Sequence, residues 1–114
     1  MKNTVILVTH EGMGYSKDLQ QLPITLLGKY LSLLLNGDSL PNAICFYTDG
    51  VKMVIDGSPV LEQLKALEAK DVRLIVCSTC LDAYGLTKRV KVGIVGGMPD
   101  ILEAQMKADK VVTL

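Results

Sequence analysis

Five short apolar runs, separated by stretches of helical character, constrain this chain more than any other feature. They are Thr4–Val8, Ala43–Tyr47, Leu74-Ile75-Val76 with Val72 before it, Val92–Val95 and Val111–Leu114. Thr4–Val8 and the run Val72–Val76 are rich in β-branched residues and read as buried strands, and Ala43–Tyr47, Val92–Val95 and Val111–Leu114 read as further short strands. Such strands alternating with helices specify a parallel sheet, joined by right-handed crossovers and covered on both sides. The fold class is therefore α/β. With 114 residues and no repeat, linker or low-complexity segment, the chain reads as one domain over 1–114.

The first helix is expected from Leu22 to Leu35, with Pro23 in its first turn, where a missing N–H is harmless. It is apolar nearly all round: Leu22, Ile24, Leu26, Leu27, Tyr30, Leu31, Leu33, Leu34 and Leu35. One apolar stripe suffices to pack on a sheet, and a second face needs further cover. In so small a domain that cover is expected to be another copy of the chain. Asn36-Gly37-Asp38 and Thr48-Asp49-Gly50 read as turns, and Val51–Val54 as a short extended piece. Ser58 caps a second helix with Pro59 at its first position, and Val60, Leu61, Leu64 and Leu67 form its inner stripe. Lys88-Arg89-Val90-Lys91 reads as a solvated loop, and Pro99–Ala108 as the last helix.

Composition excludes several function classes. Twelve Lys plus Arg against twelve Asp plus Glu leave no net charge, so no field draws the chain to nucleic acid or an anionic membrane. With no Trp and one Phe it has no aromatic platform for bases. No apolar stretch reaches the ~20 residues of a membrane span, and Met1–Val8 lacks the length and cleavage site of a signal peptide. Three cysteines, an odd number, do not make a secreted disulfide framework. The expected setting is the cytoplasm, with thiols reduced.

The chemistry concentrates where the third strand ends. Leu74-Ile75-Val76 runs directly into Cys77-Ser78-Thr79-Cys80, after which Ser78 or Thr79 can cap a short helix that Gly85 ends. Cys77 then stands at the carboxyl end of a strand and Cys80 in the first turn of a helix. Open α/β sheets bind ligands at that edge. The unpaired N–H groups of a helix start favour thiolate over thiol. Cys77 and Cys80 are therefore the candidate catalytic residues.

Three chemistries fit the pair: attack by a thiolate on a donor's sulfur, a dithiol–disulfide couple, or zinc with His10 and Cys45 as further ligands. One C-x2-C without a second pair is a weak zinc signal, and no metal or cofactor is expected. The competing class is an oligomeric binding or assembly subunit whose cysteines are inert. Cys45, inside a strand, reads as packing. His10, Gly12 and Gly14 follow the first strand and Asp49 and Gly50 the second, which makes them pocket candidates on the same edge. His10 can donate a proton or stabilise a thiolate when charged. Gly12 and Gly14 form only G-x-G, too little for a dinucleotide site. Asp82 reads as support for the helix start.

Cys77-Ser78-Thr79-Cys80-Leu81-Asp82-Ala83-Tyr84-Gly85-Leu86 resembles the C-G-T-C-L-D-x-x-G-L signature of the DsrE/DsrF-like family. The closest branch is the carboxyl-terminal domain of the YedF-type proteins of selenium or sulfur metabolism. Pro41–Tyr47 followed by Gly50-Val51-Lys52-Met53 is similar to that branch's P-x-x-I-x-F-x-x-x-G-V-K-L. Gly57–Leu64 resembles its G-S-x-V-L-x-x-L, and Ala108–Leu114 its A-D-K-V-I-x-L ending. The resemblance implies a three-layer α/β/α domain with a five-stranded parallel sheet, assembled as a trimer or hexamer. It implies a sulfur relay in which a cysteine at the end of the central strand carries sulfur as a persulfide, received from or passed to a sulfur-carrier protein. The C-x7-G block of the relay members falls on Cys77 and Gly85, with Cys80 as second thiol. Tyr84, the last pocket candidate, stands where relay members often carry arginine, so the cation expected there is missing from that position.

Overall fold

All five apolar runs join one parallel sheet. The computed structural model describes residues 3–114; Met1 and Lys2, at the head of the strand-like start, lie outside the described residues. The strands are β1 (Thr4–Val8), β2 (Ala43–Phe46), β3 (Arg73–Cys77), β4 (Ile94–Gly96) and β5 (Lys110–Thr113). Their order is β4-β3-β2-β1-β5, and every pairing is parallel. Register aligns Leu7 with Cys45 and Cys45 with Ile75, so the central strands end level with one another. Val5–Val8, Ala43–Phe46 and Leu74–Cys77 are all buried, as runs without alternation require.

The helices are α1 (Gln21–Asn36), α2 (Leu61–Ala69), α3 (Ser78–Tyr84) and α4 (Met98–Lys107). From β1 to β3 each connection steps one strand in the same direction, so right-handed crossovers put α1 and α2 on one face. The β4–β5 connection runs back across the sheet, which puts α4 on the other. The result is three layers. On α1, Pro23, Leu27 and Leu31 face inward at four-residue spacing, while Leu22, Leu26 and Leu33 are exposed. The apolar excess read from the sequence is thus present on the surface. A second excess lies on α4: Ile101 and Ala104 are buried, but Met98, Leu102 and Met106 form an exposed stripe. Beside it in the chain, Ile94 on the edge strand β4 is 67% exposed.

Three local expectations are corrected. Val51–Val54 is not extended: a 3₁₀ helix, Thr48–Met53, replaces it. Val51, Met53 and Val54 are buried, so the apolar signal was real, but extended pairing begins only past them, at the antiparallel bridge of Ile55 with Val90. The backbone bonds to itself instead, Gly50 N–H to the Tyr47 carbonyl and Val54 N–H to the Val51 carbonyl. The helix after Ser58 starts at Leu61, with Pro59 ahead of it rather than at its first position. The expected caps Ser78 and Thr79 already lie inside α3, and Cys77 itself is the residue before the helix. Gly85 ends α3 in the left-handed conformation, as its position implied.

The 3₁₀ helix is clamped to the end of β1. A Cβ on Gly50 would lie 1.9 Å from the Val8 carbonyl oxygen. Gly50→Ala should therefore force the turn off β1 and destabilise the fold by about 3 kcal/mol, the upper end of overpacking penalties. Urea unfolding of the two proteins measures this, and an equal midpoint would show that the turn is free to shift.

Candidate functional site

Parallel pairing brings the carboxyl ends of β1, β2 and β3 side by side, and the three loops that follow form one edge. The β1 loop carries His10, Glu11 and Gly14, the β2 turn carries Thr48 and Asp49, and β3 delivers Cys77 into α3.

The two cysteines are placed differently. Cys77 ends β3 and is 1% exposed. Cys80, three residues on, is partly exposed, and its sulfur accepts a hydrogen bond from the Thr48 N–H at 3.0 Å. Against the expectation from the helix start, the Cys80 thiol lies above its ordinary value: burial, above all, pushes it up, the neighbouring Cys77 pushes the same way, and the Thr48 N–H pulls back. Thr48 reaches this position with φ of 52°, a left-handed conformation uncommon for a β-branched residue. Cys45 is fully buried in β2, and burial pushes its thiol up to about 11, so it stays protonated and inert.

Next to Cys80 lies a small polar cluster. Tyr84, one turn further along α3, donates its hydroxyl to Asp49 Oδ1 at 2.5 Å. Lys52 Nζ lies 3.2 Å from the same oxygen, 3.8 Å from Glu11 Oε1 and 4.6 Å from the Tyr84 ring centre. The Tyr84 hydroxyl is the main reason the Asp49 carboxyl sits below its usual value, with Lys52 and His10 adding to it. Burial works against the Lys52 ammonium, but Asp49 and Glu11 outweigh it and hold its pKa above the ordinary lysine value. A positive charge therefore does stand against Tyr84, supplied by the 3₁₀ helix rather than by α3.

Of the pocket candidates, His10, Gly14 and Asp49 line one cleft of about 310 Å3, together with Glu11 and the exposed Tyr15. Gly12 and Gly50 do not line it; they are sites of close backbone packing. A Cβ on Gly12 would lie 2.4 Å from the Pro23 carbonyl carbon, just as one on Gly50 would strike β1. Tyr84 does not line the cleft either, and is tied to it only through the hydrogen bond to Asp49. Among the described residues, no three His, Cys, Asp or Glu side chains come together as a metal-ligand set, so His10 does not join Cys77 and Cys80 as ligands.

Glu11, Thr48 and Lys52 are site residues that sequence reading did not assign. Asp49 and Lys52 are three apart, a spacing that brings charges together only on a helical turn. Reading Val51–Val54 as extended hid that pair.

The family model for the DsrE/DsrF-like family matches residues 6–114. The chain belongs to that family. No curated protein matches this DsrE/DsrF-like chain in sequence. In structure it is similar to the YchN protein of E. coli, with a TM-score of 0.72, 21% identity and full coverage of both chains. It is also similar to MTH1491 of Methanobacterium thermoautotrophicum, a protein of unknown function, with a TM-score of 0.68, 18% identity and full coverage of both. BT1422 of Bacteroides thetaiotaomicron, likewise of unknown function, aligns with a TM-score of 0.65 and 14% identity over 98% of this chain and 95% of its own. At these identities the likeness is one of fold.

The depressed Asp49 carboxyl carries a sign. A carboxyl whose folded pKa lies below its unfolded value contributes stability above that unfolded value, and loses it as pH falls through the folded pKa. Tyr84→Phe removes the main cause, so the Asp49 titration should move up toward the usual carboxylate range, read by NMR of the side-chain carboxyl carbon. An unmoved titration would mean that Lys52 alone holds the charge.

Proposed function

We propose that this protein carries sulfur as a cysteine persulfide on Cys77, with Cys80 as second thiol, and works as a sulfur-relay protein in the cytoplasm. The observation that carries this reading is the pairing of two reduced thiols at the carboxyl end of β3, where the fold gathers three loops. Membership of the DsrE/DsrF-like family supports it. The thiols differ in a way a carrier can use. Cys77 is enclosed and keeps water from a bound persulfide, while Cys80 is open to a partner. The exchange partner is a sulfur-carrier protein that presents its own thiol or persulfide at this edge. Selenium in place of sulfur would follow the same steps, because a selenol is the heavier analogue of the thiol.

Among the described residues, no helix is long and apolar enough to cross a membrane. Membrane attachment therefore plays no part in the proposal. The same reading includes a homo-oligomer, a trimer or a hexamer. The outer leucines of α1, Leu22, Leu26 and Leu33, and the exposed stripe Met98, Leu102 and Met106 with Ile94 beside it are the surfaces that assembly would cover.

Two measurements test the proposal. On incubation with a small-molecule persulfide donor, the intact mass of the wild type should rise by one sulfur atom, and the Cys77→Ser/Cys80→Ser double variant should gain none. An unchanged wild-type mass would reject the carrier role. Light scattering during size exclusion should give a mass three or six times that of the chain, reduced by Leu102→Glu; a monomeric wild type would reject the assembly.

A further inference from the structure

We infer that sulfur reaches Cys77 by way of Cys80: the outer thiol takes it from the donor and passes it to the inner one. The inference rests on the carrier reading above and adds the order in which the two thiols act.

Three observations impose that order. Cys77, at 1% exposure, offers no surface to the sulfur of a partner protein, whereas Cys80 is partly exposed. Among the described residues, only Cys80 has a backbone donor aimed at its sulfur, the Thr48 N–H at 3.0 Å. That donor is held rather than free. Tyr47 N–H bonds the Val8 carbonyl at 3.2 Å, and Gly50 is pressed against the same carbonyl, so Thr48 is kept at its left-handed φ of 52° from both sides. Backbone outliers of this kind persist where the surroundings over-determine them. Here the outlier aims an N–H at the sulfur that must bear negative charge when it attacks and again when it leaves. Cys77 directly precedes α3 and Cys80 lies in its first turn, so the inner sulfur stands within one helical turn of the outer one for the second step.

In the first step Cys80, as thiolate, attacks the outer sulfur of a donor persulfide R–S–SH. The donor's S–S bond breaks, R–S⁻ leaves, and it takes up the proton that Cys80 lost. Cys80–S–SH results. In the second step Cys77 attacks the outer sulfur of Cys80–S–SH, and its proton passes to the Cys80 sulfur as that S–S bond breaks. Cys77–S–SH and the Cys80 thiol result. The transferred sulfur keeps its oxidation state in both steps, so neither an oxidant nor a reductant is consumed. Attack by Cys77 on the inner sulfur would instead expel HS⁻ and close a disulfide.

The test follows sulfur loading in time with a protein-sized persulfide donor, using intact mass and fragment mapping. In the wild type the added sulfur should come to rest on Cys77. Cys77→Ser should still gain one sulfur and hold it on Cys80. Cys80→Ser should load about tenfold more slowly or worse, because thiol exchange rates follow access. Its hydroxyl can still accept the Thr48 N–H, so the fold is kept. A Cys80→Ser protein that loads at the wild-type rate would overturn the order and leave the carrier reading standing. A wild type and a Cys77→Ser protein that both gain nothing would remove the carrier reading itself. A second measurement needs no variant: a bulky alkylating reagent on the reduced wild type should mark Cys80 before Cys77 and stop loading. Cys77 labelled first would overturn the order.

Discussion

The site depends on one close approach, that of Gly50 to the carbonyl of Val8. Without a side chain at position 50, the turn after β2 lies directly on the end of β1. Tyr47 N–H reaches the same carbonyl at 3.2 Å. Everything polar at the carboxyl edge follows from that seat. Thr48 is turned into the left-handed region with its N–H toward Cys80, and Asp49 is held between the β1 loop and α3. Lys52, one turn later, comes to rest over the ring of Tyr84. A strand in place of this turn would have sent alternate side chains to opposite faces and separated Asp49 from Lys52.

Burial sorts the three cysteines into three roles. Cys45 lies in the sheet interior, where the cost of charging an enclosed sulfur pushes its thiol up to about 11. Cys77 is equally enclosed but stands at the end of a strand, one residue before a helix. Cys80 alone meets both solvent and a backbone donor. Around it, Asp49, Lys52 and Tyr84 neutralise one another at the surface. Exposed ion pairs of this kind contribute little to stability. What they do is order the rim of the cleft: one carboxylate oxygen receives both a hydroxyl and an ammonium, and the ammonium also covers an aromatic ring.

Much of the architecture was legible in local pattern. Thr4–Val8 and Ala43–Phe46 fall within a residue of their expected bounds, because a run buried on both faces leaves no ambiguity of period. The two-sided apolar character of Leu22–Leu35 was legible too, and its outer leucines are on the surface. The stripe Met98, Leu102 and Met106 escaped notice because methionines at helical spacing among Glu, Gln and Lys do not stand out as a run. Val51–Val54 failed for a different reason. Burial made it look like a strand, but a strand also needs a neighbouring edge to bond, and no stretch of four residues reveals whether one is free.

The sequence by itself determined the α/β class, the end of β3 at Cys77, the short helix that Gly85 stops, and family membership. These depend on residues adjacent in the chain: β-branched runs, a glycine tolerant of the left-handed conformation, and two cysteines three apart. Tertiary structure decided which cysteine is enclosed and which is open, that Lys52 supplies the charge opposite Tyr84, and that Gly12 and Gly50 serve backbone packing while His10, Gly14 and Asp49 line the cleft. The reason is that exposure and contact between loops are set by strand order and register. Thr48 and Cys80 are 32 residues apart in the chain, and they meet because β2 and β3 pair in parallel and end level.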